Sequence, residues 1–176
     1  MLVRTRCHHD VDPLLKIAER VHAIDGYPPY LPDDDFRAFL LGHETLGAWV
    51  IEVAGEPVGQ VALHPRTGAP AMALASEVLG VEVQRLGVVA RLLVSPDHRR
   101  LGAARTLLEM AAGAAVERQL VPILDVATHF RVAIALYEHC GWIRAGEVEV
   151  WLPSGQALRE YVYVAPATLR PRGVST

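Results

Sequence analysis

The stretch SPDHRRLGAARTLLE, residues 95–109, decides how this chain is read. Before it runs GVVARLLV, residues 87–94, rich in the branched and aliphatic side chains that favour strands. After it, leucines and alanines recur at helical spacing. Two arginines and a Gly-Ala-Ala run therefore sit where a strand gives way to a helix. Tiny side chains at Gly102, Ala103 and Ala104 let a ligand approach the backbone closely. The first turn of a helix also offers unpaired N–H groups at the positive end of its dipole. Such a junction suits an anion such as a pyrophosphate, with Arg99, Arg100 and Arg105 adding charge. An ordinary helix start with solvated arginines would carry the same letters.

Two phosphate motifs fail on this stretch. A P-loop needs a lysine and then Ser or Thr after its second glycine, whereas Gly102 is followed by Ala-Ala-Arg. The dinucleotide fingerprint needs three glycines in a βαβ unit, and only Gly102 is present. The net charge of −3 also argues against a nucleic-acid partner, which calls for a strongly basic face. No run approaches the roughly 18 apolar residues of a membrane span. The start, MLVRTRCHHD, lacks the apolar segment of a secretory signal. Cys7 and Cys140 stand far apart without a CxxC, so neither a disulfide framework nor a zinc site is expected. His8-His9-Asp10 resembles a metal cluster only superficially, and no metal is expected. These features together predict a cytoplasmic protein with reduced thiols.

Working outward, Leu2–Cys7 predicts a first strand, and Asp10 a cap for a helix over about 12–24 with Pro13 in its first turn. DGYPPYLPDDD, residues 25–35, must be an ordered loop, followed by a short helix over about 34–41. Gly47–Val53 and Pro57–His64 read as a hairpin across AGE. Residues 65–83 read as an insertion with a short helix. Leu86–Val94 predicts a strand, and Leu101–Arg118 an amphipathic helix with Leu101, Leu108, Ala111, Ala112, Ala115 and Val116 on its apolar face. Val121–Val126 predicts a buried strand and Arg131–His139 a helix closed by Gly141. Glu147–Leu152 and Leu158–Val164 predict a final hairpin. The order gives an α+β fold: a mixed central sheet flanked by helices, one domain over residues 1–165, and a flexible tail over 166–176.

Arg99-x-x-Gly102-x-Ala104, after a strand ending in Val-x-Pro, resembles the acyl-CoA signature of the GNAT (GCN5-related) N-acetyltransferases. A second block, AIALYEHCGW at residues 133–142, resembles the family's Asn-x-x-Ala-x-x-Leu-Tyr-x-x-x-Gly-Phe. Ala133, Leu136, Tyr137 and Gly141 match in register, and Trp142 replaces the phenylalanine. The element order is similar to the GNAT fold from first strand to last hairpin. One residue departs: the family's common asparagine is Phe130 here.

The resemblance implies an N-acetyltransferase that moves an acetyl group from acetyl-CoA to a primary amine of a small molecule or peptide, in a ternary complex. It implies that Arg99, Arg100, Leu101, Gly102, Ala103, Ala104 and Arg105 hold the CoA pyrophosphate. Leu92, Leu93 and Val94 would present backbone amides to the pantetheine arm and help polarise the thioester. Phe130 cannot make the asparagine's hydrogen bond but can pack against that arm. Tyr137 matches the frequent general acid, a phenol being protonated at neutral pH with its ordinary pKa of about 10. Asp125, twelve residues earlier, holds the place of a catalytic glutamate in the family's ribosomal-protein Nα-acetyltransferases. Glu77, Glu82, His129 or a water remain alternative bases, and a purely structural carboxylate is the other reading of Asp125. Tyr27 and Tyr30 stand where relatives build the acceptor site, and Asp33–Asp35 could attract an ammonium group. The family's frequent pairing through carboxy-terminal strands leaves a homodimer open. The rival class is a non-catalytic acyl-CoA-binding or sensing module on the same fold, which Phe130 favours and Tyr137 disfavours.

Overall fold

The run richest in strand-formers becomes strand β4, Leu86–Val94, with the predicted bounds. Around it the computed structural model describes residues 1–31, 35–42 and 44–171. The chain packs into two compact units, residues 1–63 with 89–111, and residues 64–88 with 112 onward.

The first unit holds β1 (Leu2–Thr5), α1 (Val11–Asp25), α2 (Phe36–Leu41), β2 (Gly47–Val53), nearly all of β3 (Glu56–His64) and the second half of β4. Antiparallel pairing sets Thr5 against Trp49 and Ile51 against Gly59. Helix α1 buries Val11, Leu14, Ala18 and Val21, one stripe at helical spacing, and ends at left-handed Gly26. Leu14 and Ala18 meet Leu40, Val50 and Leu93 in a core against which Tyr27 and Phe39 pack. Asp10 precedes α1 as expected, but its carboxylate makes no cap. It accepts from Arg4 at 2.7 and 2.8 Å and from the Cys7 amide at 2.6 Å, because burial demands a cation more than the helix demands a cap. His8–Asp10 is a 3-10 turn rather than strand, so β1 stops at Thr5.

The second unit holds α3 (Ala69–Leu79), the start of β4, the later part of α4 (Ala103–Glu117), β5 (Val121–Ala127), α5 (Arg131–His139), β6 (Ile143–Trp151) and β7 (Ala157–Val164). Strand β5 pairs in parallel with β4 over Leu86–Val88 against Val121–Ile123, and antiparallel with β7. Strand β7 lies between β5 and β6, so the mixed sheet runs β1-β2-β3-β4-β5-β7-β6. The insertion does carry a helix, α3, which packs on β6. A Cβ at Gly146 would stand 3.0 Å from Leu74 Cδ2, so glycine sets the closeness of that contact.

Other predicted bounds shift as well. Strand β6 begins at Ile143 rather than Glu147, because a register irregularity between Arg144 and Gly146 breaks the alternation. Leu101 is exposed and precedes α4, and buried Leu107 takes its place on the apolar face. Helix α2 starts at Phe36; Asp34 lies outside the described residues. Of the predicted tail, residues 167–169 form a 3-10 turn and buried Arg170 donates to the Ala165 carbonyl at 2.7 Å, while 172–176 lie outside the described residues. No helix among the described residues is long and apolar enough to cross a membrane.

Candidate functional site

In the first unit, the loop after β4 is shaped by backbone alone. The Ser95 amide donates to the Val58 carbonyl at 2.7 Å, and Pro96–His98 make a 3-10 turn closed by His98 N–H to Ser95 C=O. Arg100 and Gly102 then adopt left-handed φ values of 61° and 84°. Helix α4 follows at once, its first i→i−4 bond running from Thr106 N–H to Gly102 C=O. The amides of Ala103, Ala104 and Arg105 precede that bond, so helix geometry leaves them as donors. A Cβ at Gly102 would meet nothing within 4 Å. The space above this turn is open, and glycine is needed there for its φ and for the approach of a ligand. The cradle therefore fits a phosphate-bearing group through main-chain donors.

Its arginines divide. Arg99 is held by Asp25 at 2.5 and 3.2 Å, and Arg105 by Glu109 at 2.8 Å. Arg100 is exposed and makes no ion pair among the described residues. The Arg99–Asp25 pair, with Arg20–Asp97 at 2.7 and 3.1 Å, ties the loop to the end of α1.

Upstream, Leu92 is half-buried and Leu93 and Val94 are buried. The residue before them, Arg91, has φ 54° inside a strand, a conformation that costs a non-glycine residue about 1–2 kcal/mol. Its guanidinium lies over Phe39 at 5.6 Å, and a Cβ at Gly42 would fall on its Nη1. Buried Gln60 accepts from Arg6 at 3.0 Å and donates to the Arg91 carbonyl at 3.5 Å. No sequence signal marks this kink. Tyr27 packs edge-on to Phe39 at 5.7 Å, and Tyr30 is exposed. Asp35 caps α2 by accepting from the Arg37 amide at 2.7 Å; Asp33 and Asp34 lie outside the described residues.

In the second unit, helix α5 shows why its motif has the form it does. Gly141, with φ 79°, lets its own N–H reach Glu138 C=O and the Trp142 N–H reach Tyr137 C=O, a Schellman ending. Trp142 is thereby seated with its ring 6.4 Å from that of buried Tyr137, which also meets Tyr163 at 6.0 Å. The Tyr163 hydroxyl donates to Glu138 at 2.8 Å and accepts from Arg144 at 3.2 Å. Phe130 precedes α5 and stacks on exposed His129 at 4.2 Å.

Asp125 is half-buried on β5 and accepts from Thr67 Oγ1 at 3.0 Å. Diagonal to it across the β5–β7 ladder stands half-buried Glu160, a residue the sequence reading missed. Burial raises the Asp125 carboxyl against the pull of Thr67, its own amide and Glu160. Burial and the neighbouring Asp125 push Glu160 up to about 7. Glu77 and Glu82 are exposed. Asp125 pairs with Val162 and Leu124 with Tyr163, so Asp125 and the Tyr163 ring against which Tyr137 packs occupy opposite faces of the β5–β7 ladder. Among the described residues no group of His, Cys, Asp and Glu is arranged to hold a metal ion.

Known proteins share this architecture. Ribosomal-protein-alanine N-acetyltransferase from Brucella melitensis superposes with a TM-score of 0.67 at 22% identity, covering 93% of this chain and 98% of that one. NAA60 from Arabidopsis thaliana, in complex with a bisubstrate analogue, gives 0.68 at 18% identity over 93% and 95%. The putative acetyltransferase yncA from Salmonella typhimurium, solved with its cofactor acetyl-CoA, gives 0.64 at 16% over 93% and 91%. No curated protein sequence matches the chain. The sequence profile of the Acetyltransferase (GNAT) family matches residues 12–142, from α1 through the cradle to the Trp142 that Gly141 seats, and the chain belongs to that family of acetyltransferases.

Proposed function

We propose that this protein transfers an acetyl group from acetyl-CoA to a primary amine, of a small molecule or a peptide, by direct attack in a ternary complex. The observation that carries the reading is the left-handed turn at Arg100 and Gly102, which opens the first-turn amides of α4 to an anion. The CoA pyrophosphate suits those donors, with Arg100 as the uncommitted cation. The β4–β5 register, short at three residues although both strands continue, supports a role for the Leu92–Val94 backbone in holding the pantetheine arm.

Asp125 then takes a proton from the amine, nitrogen attacks the thioester carbon, the C–S bond breaks and Tyr137 protonates the sulfur. The test is thiol release at saturating acetyl-CoA across a panel of peptide amino termini, lysine side chains and small amines. Release with at least one class is expected. Calorimetric acetyl-CoA binding with no release anywhere would overturn transfer and favour the binding module that Phe130 allows.

A further inference from the structure

We propose that Glu160 is the positioning residue of the base: Asp125 and Glu160 form one proton-sharing pair, fixed by Thr67, and the pair receives the proton of the acceptor ammonium. This rests on the acetyltransferase reading above and adds a residue and a mode of action to it.

The geometry starts from register. Asp125 pairs with Val162 and Ala127 with Glu160, so the two carboxyls project from the same face of adjacent strands as diagonal neighbours. Each carboxyl acts on the titration of the other. Ionised carboxylates only accept, so two neighbouring carboxyls bond to each other only when a proton lies between them. Thr67 uses its hydroxyl hydrogen on Asp125 Oδ2, which fixes that carboxyl and leaves its other oxygen for Glu160.

Among the described residues the groups facing the pair are few. The same face carries Ile123 and Ala127 on β5, Leu158 and Val162 on β7, and Gly146, Val148 and Val150 on β6, none of them titratable. Helix α3 and its approach contribute Thr67, with Arg66 beside it and Glu77 exposed. His64 ends β3, and His129 is exposed beyond β5. Arg159 turns to the other face and pairs with Glu147. What acts on the two carboxyls is burial, Thr67, the Asp125 amide and each other. Like charges at this separation cannot both ionise at ordinary carboxylate pH, so the second ionisation belongs to the pair and falls in the neutral range.

A base titrating near neutrality is matched to an ammonium donor, whereas a lone exposed aspartate is too weak. The doubly ionised pair takes one ammonium proton and holds it between Asp125 and Glu160. The freed nitrogen lone pair forms the C–N bond, sulfur leaves with the Tyr137 proton, and the second nitrogen proton, lost through water, restores the phenol. The pair then gives its proton to solvent.

The test is carbon-13 NMR titration of the full chain labelled at Asp and Glu carboxyls, run beside the pH–rate profile with the best amine of the panel. Both carboxyls are expected to shift together in two steps, the upper one near neutrality. In E160Q, Asp125 should titrate in a single step, uncoupled from any second carboxyl. The acid limb of kcat/KM should move down by about one pH unit or more, kcat should fall roughly tenfold or more, and acetyl-CoA affinity should stay unchanged. E160D should restore part of the rate. T67V, which keeps both carboxyls, should instead move the acid limb up. Independent single-step titrations, or an unmoved acid limb in an active E160Q, would overturn the pair. Coupled titration in a chain that acetylates no amine would overturn the catalytic assignment by way of the function itself, a different result from failure of the pair.

Discussion

Among the described residues of the first unit, buried Asp10 and half-buried Glu52 are set against the Arg4 guanidinium, and the more exposed Asp25 against Arg99. In the second, two carboxyls are set against each other. In the mechanism proposed above, the difference separates recognition from chemistry. An anion is best held by donors that do not titrate, so the cradle relies on main-chain amides and leaves Arg99 and Arg105 to neighbouring acids. A proton is best moved by a group whose two states are close in free energy, and mutual repulsion in a half-buried place achieves that for Asp125 and Glu160.

The largest effect should come from filling the cradle. Gly102→Val puts a branched side chain at φ 84° and into the open space over the α4 amides. Acetyl-CoA affinity measured by calorimetry should fall about 100-fold or more, close to 3 kcal/mol. Far-UV circular dichroism should stay that of the wild type, since no neighbour lies within 4 Å to be displaced. A variant that still binds within threefold would mean that the amides of this turn are not the donors.

The next effect tests the opposite signs of charge in the two units. The Asp10 carboxyl is depressed below the ordinary range, chiefly by its bond to Arg4, so the stability it contributes is present above its unfolded value and lost as pH falls. The Asp125–Glu160 pair is raised, so its folded state binds the extra proton. The stability it contributes is present below ordinary carboxylate pH and lost as pH rises toward about 7. Thermal melts should therefore peak between these windows. D10N should lower stability at neutral pH by about 1–3 kcal/mol, or roughly 2–12 °C, and flatten the acid side. E160Q should flatten the neutral side and leave the acid side alone. A neutral flank that is as steep in E160Q as in wild type would break the contrast.

What could be read from the chain follows the same division. The strand–loop–helix junction was legible because it is local, marked by Gly102 and two alanines within a few residues, whereas the left-handed turn at Arg100 and Gly102 came from the structure. The element order and the bounds of β4 and α5 were legible for the same reason, as was the Gly141 helix ending. Glu160 was not, since its meeting with Asp125 depends on β7 entering between β5 and β6, and a hairpin read in sequence order does not say which strand joins the sheet. The early start of β6 was hidden by the irregularity at Arg144 and Gly146. The kink at Arg91 is held by Gln60 and by contacts with Phe39 and Gly42, all distant in sequence, so nothing at Arg91 itself signals it. Asp125 was reachable only through its spacing from Tyr137, a matter of resemblance. Its environment came from the fold.

The smallest effect separates the side chains of the cradle from its backbone. Arg99 opens the sequence motif, yet its guanidinium is spent on Asp25, with both side chains about one-third exposed. An ion pair so accessible to solvent contributes only about 0–1 kcal/mol, and moving Arg99 from Asp25 to a phosphate would exchange one partner for another at little net gain. R99A should therefore change acetyl-CoA affinity by less than about threefold, within 0.7 kcal/mol. R100A removes the cation that has no such partner among the described residues and should cost more. D25N supplies the converse: if Arg99 were released to serve the cradle, this variant would bind acetyl-CoA more tightly than wild type. Should R99A lose tenfold or more while R100A loses little, the main-chain account of the cradle gives way to one in which Arg99 leaves Asp25 whenever the phosphates arrive.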